Sequence, residues 1–380
     1  MVGIILFYVT FLLIAFFASC IKSKKERLHF QIILCFLMMF IFFSFRDTVV
    51  INDTSHYYAH LYEYLQSPTK LQQSIFKFDP HERFEYLYVV LERFVGKYIW
   101  SDPYSIIFIS STITTIFYLW IIKRYTPLVA IACFFAFSNI VASHCVIRNT
   151  YALILFMIAI EYLKQNKTLK YYCLIALAFL FHSSAIILVI IPIFKNLKPS
   201  RKNIILTFFA ICIISIFIFP LLLIFGIGDS SYFAEFIGKK TLPIAAILNT
   251  LFIAFYLLIV YYVKRKYNII YPNNLILWLS ILNLYTNIVA IPFLVFSRFS
   301  AYFSMYTIFV LMYSLFHKSS CKPLKKALSR NSITAIIITI LLVRFSLINI
   351  YKNEWANLYP YSFYDFQGGY RKQVHTTPNN

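Results

Sequence analysis

The sequence predicts an all-α polytopic membrane protein, and three observations carry that expectation. Of 380 residues, 61% are hydrophobic and 20% aromatic, with only 13% charged, and the mean hydropathy is +0.73; soluble domains are far less apolar. Apolar runs long enough to cross a hydrocarbon core of roughly 30 Å recur along the whole chain. The basic residues gather in the short connectors between those runs, which is the charge bias of cytoplasmic loops. A net charge of +21 would suggest nucleic acid in a soluble protein. Here the surplus is spread through membrane connectors and forms no basic face for a nucleic acid, so no such partner is expected.

The candidate segments are, in order, 2 to 21, 28 to 45, 104 to 122, 126 to 144, 147 to 163, 171 to 194, 203 to 225, 244 to 263, 273 to 296, 299 to 316 and 332 to 350, eleven in all. The first lacks a charged leader and a small-residue cleavage site, so it reads as a retained span. Six basic clusters hold 21 of the 35 Lys and Arg residues: 22 to 27, 123 to 124, 164 to 170, 195 to 202, 264 to 266 and 318 to 330. If every segment crosses once, the clusters on either side of 171 to 194 fall on opposite faces, and the charge rule is violated three times. If 171 to 194 enters and leaves on one side as a re-entrant hairpin, all six clusters are cytoplasmic. Its half-helices would meet near His182, Ser183 and Ser184, where protein or a water-filled cavity must cover the irregular backbone. A single helix of that length, at about 1.5 Å per residue, would also reach across; the charges favour the hairpin. The expectation is one integral membrane domain over 1 to 380 with about ten spans, the hairpin, a long external loop at 46 to 103 and an external tail from 351 to 380.

The 46 to 103 loop holds eight of the 14 acidic residues against six basic ones, unlike a cytoplasmic connector. Asp53 and Thr54 stand where they can cap a short helix running through His56, Tyr57 and Leu61. The stretch FEYLYVVLERFVGKYIW (84 to 100) suits a helix lying along the membrane interface. The seven cysteines show no metal-ligand or CxxC spacing and read as packing residues. Asp47 and Asp53 alone do not make a metal site. GxSxG, P-loop, HExxH and GxGxxG motifs are absent, so nothing supports nucleotide chemistry, and no metal or cofactor is expected.

Arg46, Arg148 and Arg298 stand at the mouths of apolar segments. A guanidinium there is costly, stays charged, and offers a planar fork of donors that matches phosphate; three on one face suit a diphosphate. Snorkelling at a span end is the ordinary reading of such a residue, but these three share a face where the charge rule disfavours arginine. Arg148, on a short connector between two spans, is the sharpest case. His182 interrupts an apolar run and reads either as a helix-to-helix hydrogen-bonding residue or as a catalytic group. Asp53 reads first as a helix cap, a role compatible with a catalytic carboxylate. Tyr57 and Tyr58 read as a sugar-stacking platform or as part of an interfacial aromatic belt.

Five pieces, FRDTVVINDTSHYY, HCVIRNTYALILF, LAFLFHSSAIILVIIPIF, SRFSAYF and NEWANLYPYSFY, occur in that order from residue 45 to about 364. As an ordered set they resemble the EpsG-like and Wzy O-antigen or capsular polysaccharide polymerases; Asn149 stands where members usually carry Gln. The resemblance implies a GT-C-like glycosyltransferase of the bacterial inner membrane with its site facing the periplasm. It would transfer a growing glycan from undecaprenyl diphosphate to the terminal sugar of a lipid-linked repeat unit. The implied partners are that lipid-linked oligosaccharide, the bilayer, a Wzz-like chain-length regulator and a Wzx-like flippase. On this reading Arg46, Arg148 and Arg298 clamp the diphosphate, and Asp53 or His182 accepts the hydroxyl proton. An O-antigen ligase or a lipid-linked oligosaccharide flippase is the competing expectation; a flippase would want charges lining a path through several spans, and the apolar segments hold few.

Overall fold

Among the described residues the apolar runs are largely helical, because a backbone surrounded by lipid must satisfy its hydrogen bonds within the segment. The computed structural model describes residues 2–51, 53–79, 82, 84–224, 244–271, 273–292, 296–317, 329–351 and 361–365. The helices are α1 (Val2–Ser19), α2 (Lys24–Ser44), α3 (Thr54–Leu65), α4 (Pro68–Gln72), α5 (Tyr86–Phe94), α6 (Ser105–Tyr125), α7 (Val129–Cys145), α8 (Ile147–Lys164), α9 (Thr168–Phe181), α10 (Ile193–Asn196), α11 (Arg201–Ile224), α12 (Ile244–Tyr267), α13 (Asn274–Ala290), α14 (Ser297–Phe316) and α15 (Arg330–Tyr351). A π-helical turn, Val95–Ile99, extends α5, and a 3-10 segment, Ser183–Ile190, follows α9.

The chain is a helical membrane protein. Among the described residues four helices are long and apolar enough to cross a membrane on their own, within Lys24–Ser44, Ser105–Tyr125, Ala246–Tyr267 and Ser297–Phe316, and six further apolar helices are shorter. The expectation of about ten full spans concerns the whole chain, and the four helices counted lie within the described residues alone. The main core runs through the bundle and includes the fully buried Phe134, Phe137, Trp278, Tyr302 and Tyr306.

The 171 to 194 region does not form one helix. At His182 the backbone turns extended, with φ −159° and ψ 121°, and the chain doubles back. Tyr171, near the start of α9, donates its hydroxyl to the carbonyl of Leu188, and Lys195 bonds Asn166, so both ends of the segment meet. Ser183 and Ser184 offer the backbone alternative hydrogen bonds just past the break, and Pro192 removes a helical donor further on.

The 46 to 103 loop is a small helical cap with a core of its own. Tyr57, Tyr58, Leu61 and Tyr64 of α3 pack with Phe84, Tyr88 and Val89 onto Tyr104, Ile107, Ile147 and Tyr151 at the ends of α6 and α8. The tail closes over it: Asp47 N donates to Ser362 O and Tyr364 N to Phe45 O, each at 2.9 Å, while the Tyr364 ring stacks on Tyr104 at 3.9 Å.

Candidate functional site

Glu85 directly precedes α5 in an extended conformation, with φ −63° and ψ 146°. It occupies the helix cap position yet makes no capping bond. Its carboxylate reaches instead to two groups far along the chain. Oε2 accepts from Arg148 Nη1, and Oε1 lies 2.7 Å from His182 Nδ1. Arg148 sits in the first turn of α8, where the helix dipole disfavours a cation; the carboxylate offsets that cost. The Arg148 guanidinium also lies over the Phe84 ring, 4.5 Å from its centroid, and interacts with the buried Tyr57, whose hydroxyl burial pushes up to about 12. Arg148 Nε is buried with no hydrogen-bond partner among the described residues. A buried donor left in that state is expensive unless a ligand takes it.

Burial alone would raise the Glu85 pKa, but the His182 hydrogen bond and the Arg148 charge outweigh it and hold the carboxyl down at about 2. An ionised carboxylate only accepts, so His182 Nδ1 carries the proton it donates. In its neutral form the imidazole then has Nε2 as its acceptor, the tautomer a general base needs. On the far side of the break, Ser184 Oγ lies 2.9 Å from the Tyr302 hydroxyl of α14, and Tyr302 is within electrostatic reach of Glu85.

The structure thus brings Arg148 and His182 together through a residue that sequence reasoning missed. Glu85 was one acid among eight in the loop, and its only signal was indirect: an arginine and a histidine set beside apolar runs want a carboxylate between them. Arg298 lies exposed in the first turn of α14, one turn before Tyr302.

Arg46 does not share that position. It is 0% exposed, and its fork is used inside the protein: Nε donates to Thr54 Oγ1 at 3.2 Å, Nη1 to Ser111 Oγ at 2.6 Å and to Phe43 O, and Nη2 to His144 O at 3.2 Å. It cannot clamp a ligand while so enclosed. It ties the start of α3 and the α7–α8 turn, from which Arg148 projects. Asp53 is exposed at the start of α3 with φ 66° and makes no side-chain capping bond, so the expected side-chain cap is absent. Aspartate tolerates that left-handed backbone, whereas the neighbouring Ile51, also at φ 66°, is strained by its branched Cβ. Asp53 stays near the site, since its charge acts on Tyr57 one turn on.

Tyr57 and Tyr58 offer no open platform for a sugar. They are 3% and 4% exposed, Tyr57 packed against Phe84 and Tyr88 and Tyr58 against Tyr364. Their chemistry is aimed inward.

A model of the EpsG family matches residues 29–363. The chain belongs to the EpsG family. The match runs from α2 to Phe363 in the tail and takes in Arg46, Glu85, Arg148, His182 and Arg298. No curated protein and no solved structure matches the chain. Membership suggests a polysaccharide polymerase or a related glycosyltransferase role, and for an EpsG-family chain the Glu85-centred cluster is the natural place to look for the chemistry.

Proposed function

We propose that this EpsG-family protein is a polysaccharide polymerase of the bacterial inner membrane. It transfers a growing glycan from undecaprenyl diphosphate to the terminal sugar of a lipid-linked repeat unit, at the periplasmic face. The observation that carries the reading is the Arg148–Glu85–His182 cluster, which pairs a cation holding an unfilled buried donor with an imidazole oriented for proton acceptance.

In the proposed step the acceptor hydroxyl oxygen attacks the anomeric carbon of the growing chain. The bond from that carbon to the diphosphate oxygen breaks, and the diphosphate leaves with the electron pair. Arg148 faces the charge as it develops, the electrostatic contribution that usually dominates such catalysis, and Arg298, one turn above Tyr302, is suited to a second phosphate contact. His182 Nε2 takes the hydroxyl proton while Glu85 stays ionised and steadies the imidazolium. Asp53 is the alternative base on the rim. Arg46 serves as a positioning residue.

The test is surface glycan in cells carrying Arg148→Ala, Arg298→Ala or Glu85→Gln. Glycan reduced to single repeats that still reach their lipid anchor supports polymerisation; long chains left unattached would mean a ligase, and normal long chains in all three would sink the site.

A further inference from the structure

A polar cavity of about 190 Å³ opens in the loop cap and is lined by residues that include His60, Tyr64, Lys70, Glu82, Glu92 and Arg93. Its walls are fixed by their own network. His60 Nδ1 lies 2.7 Å from Glu92 Oε2, and its Nε2 lies 2.8 Å from Glu82 Oε1. Arg93 Nη2 donates to Glu82 Oε2 at 2.6 Å. Two polar atoms remain over. Glu92 Oε1 and the Tyr64 hydroxyl, on side chains 1% and 5% exposed, have no hydrogen-bond partner among the described residues. Both residues line the cavity, and buried oxygens without partners are the exception in folded proteins.

The cavity is far larger than the roughly 30 Å³ of one water and smaller than the 300 Å³ or so at which pockets for drug-sized molecules begin. The lining holds both donors (Arg93, Lys70, Tyr64) and carboxylate acceptors (Glu82, Glu92), a mix that matches hydroxyl groups, which both donate and accept. No group of three or more His, Cys, Asp or Glu among the described residues could hold a metal ion. The cavity is one aromatic ring away from the cluster at Glu85: the Phe84 ring lies 4.6 Å from the His60 ring, and the Arg148 guanidinium lies over that same Phe84.

We propose that this cavity binds one uncharged sugar residue of the lipid-linked glycan, as a recognition subsite beside the reacting centre. The role of that sugar rests on the glycosyl-transfer reading; the binding itself does not. Glu92 Oε1 and the Tyr64 hydroxyl take the sugar hydroxyls, and the His60–Glu82–Arg93 network holds them in place.

The experiment is saturation-transfer NMR on the full chain in lipid nanodiscs, with glucose, galactose, N-acetylglucosamine, N-acetylgalactosamine and rhamnose as probes. At least one of these sugars gives a signal that titrates. Tyr64→Phe and Glu92→Gln each weaken it about tenfold, the effect of one buried hydrogen bond, and Arg148→Ala leaves it in place. Tyr64→Phe removes an oxygen that no described residue hydrogen-bonds and keeps the ring under Arg93, so its thermal unfolding stays at the wild-type temperature and the loss is attributable to the ligand. No signal from any of the five on the wild-type chain, or a signal that survives both substitutions, overturns the subsite. Arg148→Ala that abolishes long glycan while the wild-type chain binds no sugar removes the subsite alone; sugar binding lost in Tyr64→Phe, beside normal glycan in the Arg148 and Glu85 variants, removes the transfer reading instead.

Discussion

Glu85 Oε1 lies 2.7 Å from His182 Nδ1, although the two residues are 97 positions apart in the chain. The contact joins the loop cap to the point where the hairpin reverses. Glu85→Gln keeps the shape but puts a neutral amide beside the imidazole and the guanidinium. Polymer formation in membranes falls roughly a hundredfold, in the range seen when one electrostatic catalytic group is removed. Activity within a factor of two of wild type would rule out a role for the carboxylate.

Glu85 also sets a pH expectation. Its folded pKa is depressed to about 2, so its contribution to stability is present above the ordinary carboxylate value and is lost as pH falls from there through about 2. A shift of that size amounts to about 3 kcal/mol. Thermal unfolding in detergent should show no Glu85-dependent slope between pH 5 and 8, and Glu85→Gln should lower the unfolding temperature throughout that range.

The His60 cluster behaves oppositely. Burial would lower the His60 pKa, but the bonds and charges of Glu92 and Glu82 raise it overall. Burial raises the pKa of Glu92 as well. Both groups bind protons more tightly in the folded chain. The His60 contribution is full below its ordinary value of about 6.5 and fades as pH rises through the folded one. The unfolding temperature therefore declines as pH rises above about 6.5, and His60→Gln flattens that decline; an unchanged slope in the variant would contradict the assignment.

Arg46→Ala should act on stability. It strands Ser111 Oγ, Thr54 Oγ1 and two carbonyls in a buried site, a loss of about 3 kcal/mol. Arg46→Lys recovers little of this, because an ammonium cannot reproduce the fork. Thermal unfolding decides the matter: wild-type stability with lost polymer would return Arg46 to the ligand.

The docked tail predicts a smaller effect. Tyr364→Ala removes the ring stacked 3.9 Å from Tyr104 and should cost about 1 kcal/mol, read as a lower unfolding temperature. A value equal to wild type would mean that the backbone pairing with Phe45 and Asp47 suffices.

The hairpin carries the topology. A reporter fused after residue 198 should be cytoplasmic, with residues 164 to 170 on the same side. A periplasmic reporter there would separate the two basic clusters and overturn the expectation that Arg148 and Arg298 share a face.

Much of this architecture is a local property of the chain and was legible there. Hydropathy and length marked the helices to within a few residues, because each membrane segment satisfies its own backbone whatever its neighbours do. The ordered motifs pointed to the EpsG family, and Arg148 and His182 stood out because charge and imidazole are costly in apolar runs. Sequence could not separate Arg46 from Arg148. Both are arginines at the mouth of a helix, and only the packing shows that one fork closes on Ser111, Thr54, Phe43 and His144 while the other keeps a donor unfilled. Nor could it select Glu85 from eight acids, or show that Tyr57 and Tyr58 turn inward. Those outcomes depend on which distant side chains meet when the loop cap settles on α6 and α8, and long-range contacts of that kind leave no periodicity behind. The sequence by itself determined a helical membrane chain of this family with a costly arginine and histidine in it; the tertiary structure decided which charges face each other, since burial and partner, not residue type, set what a charged group can do.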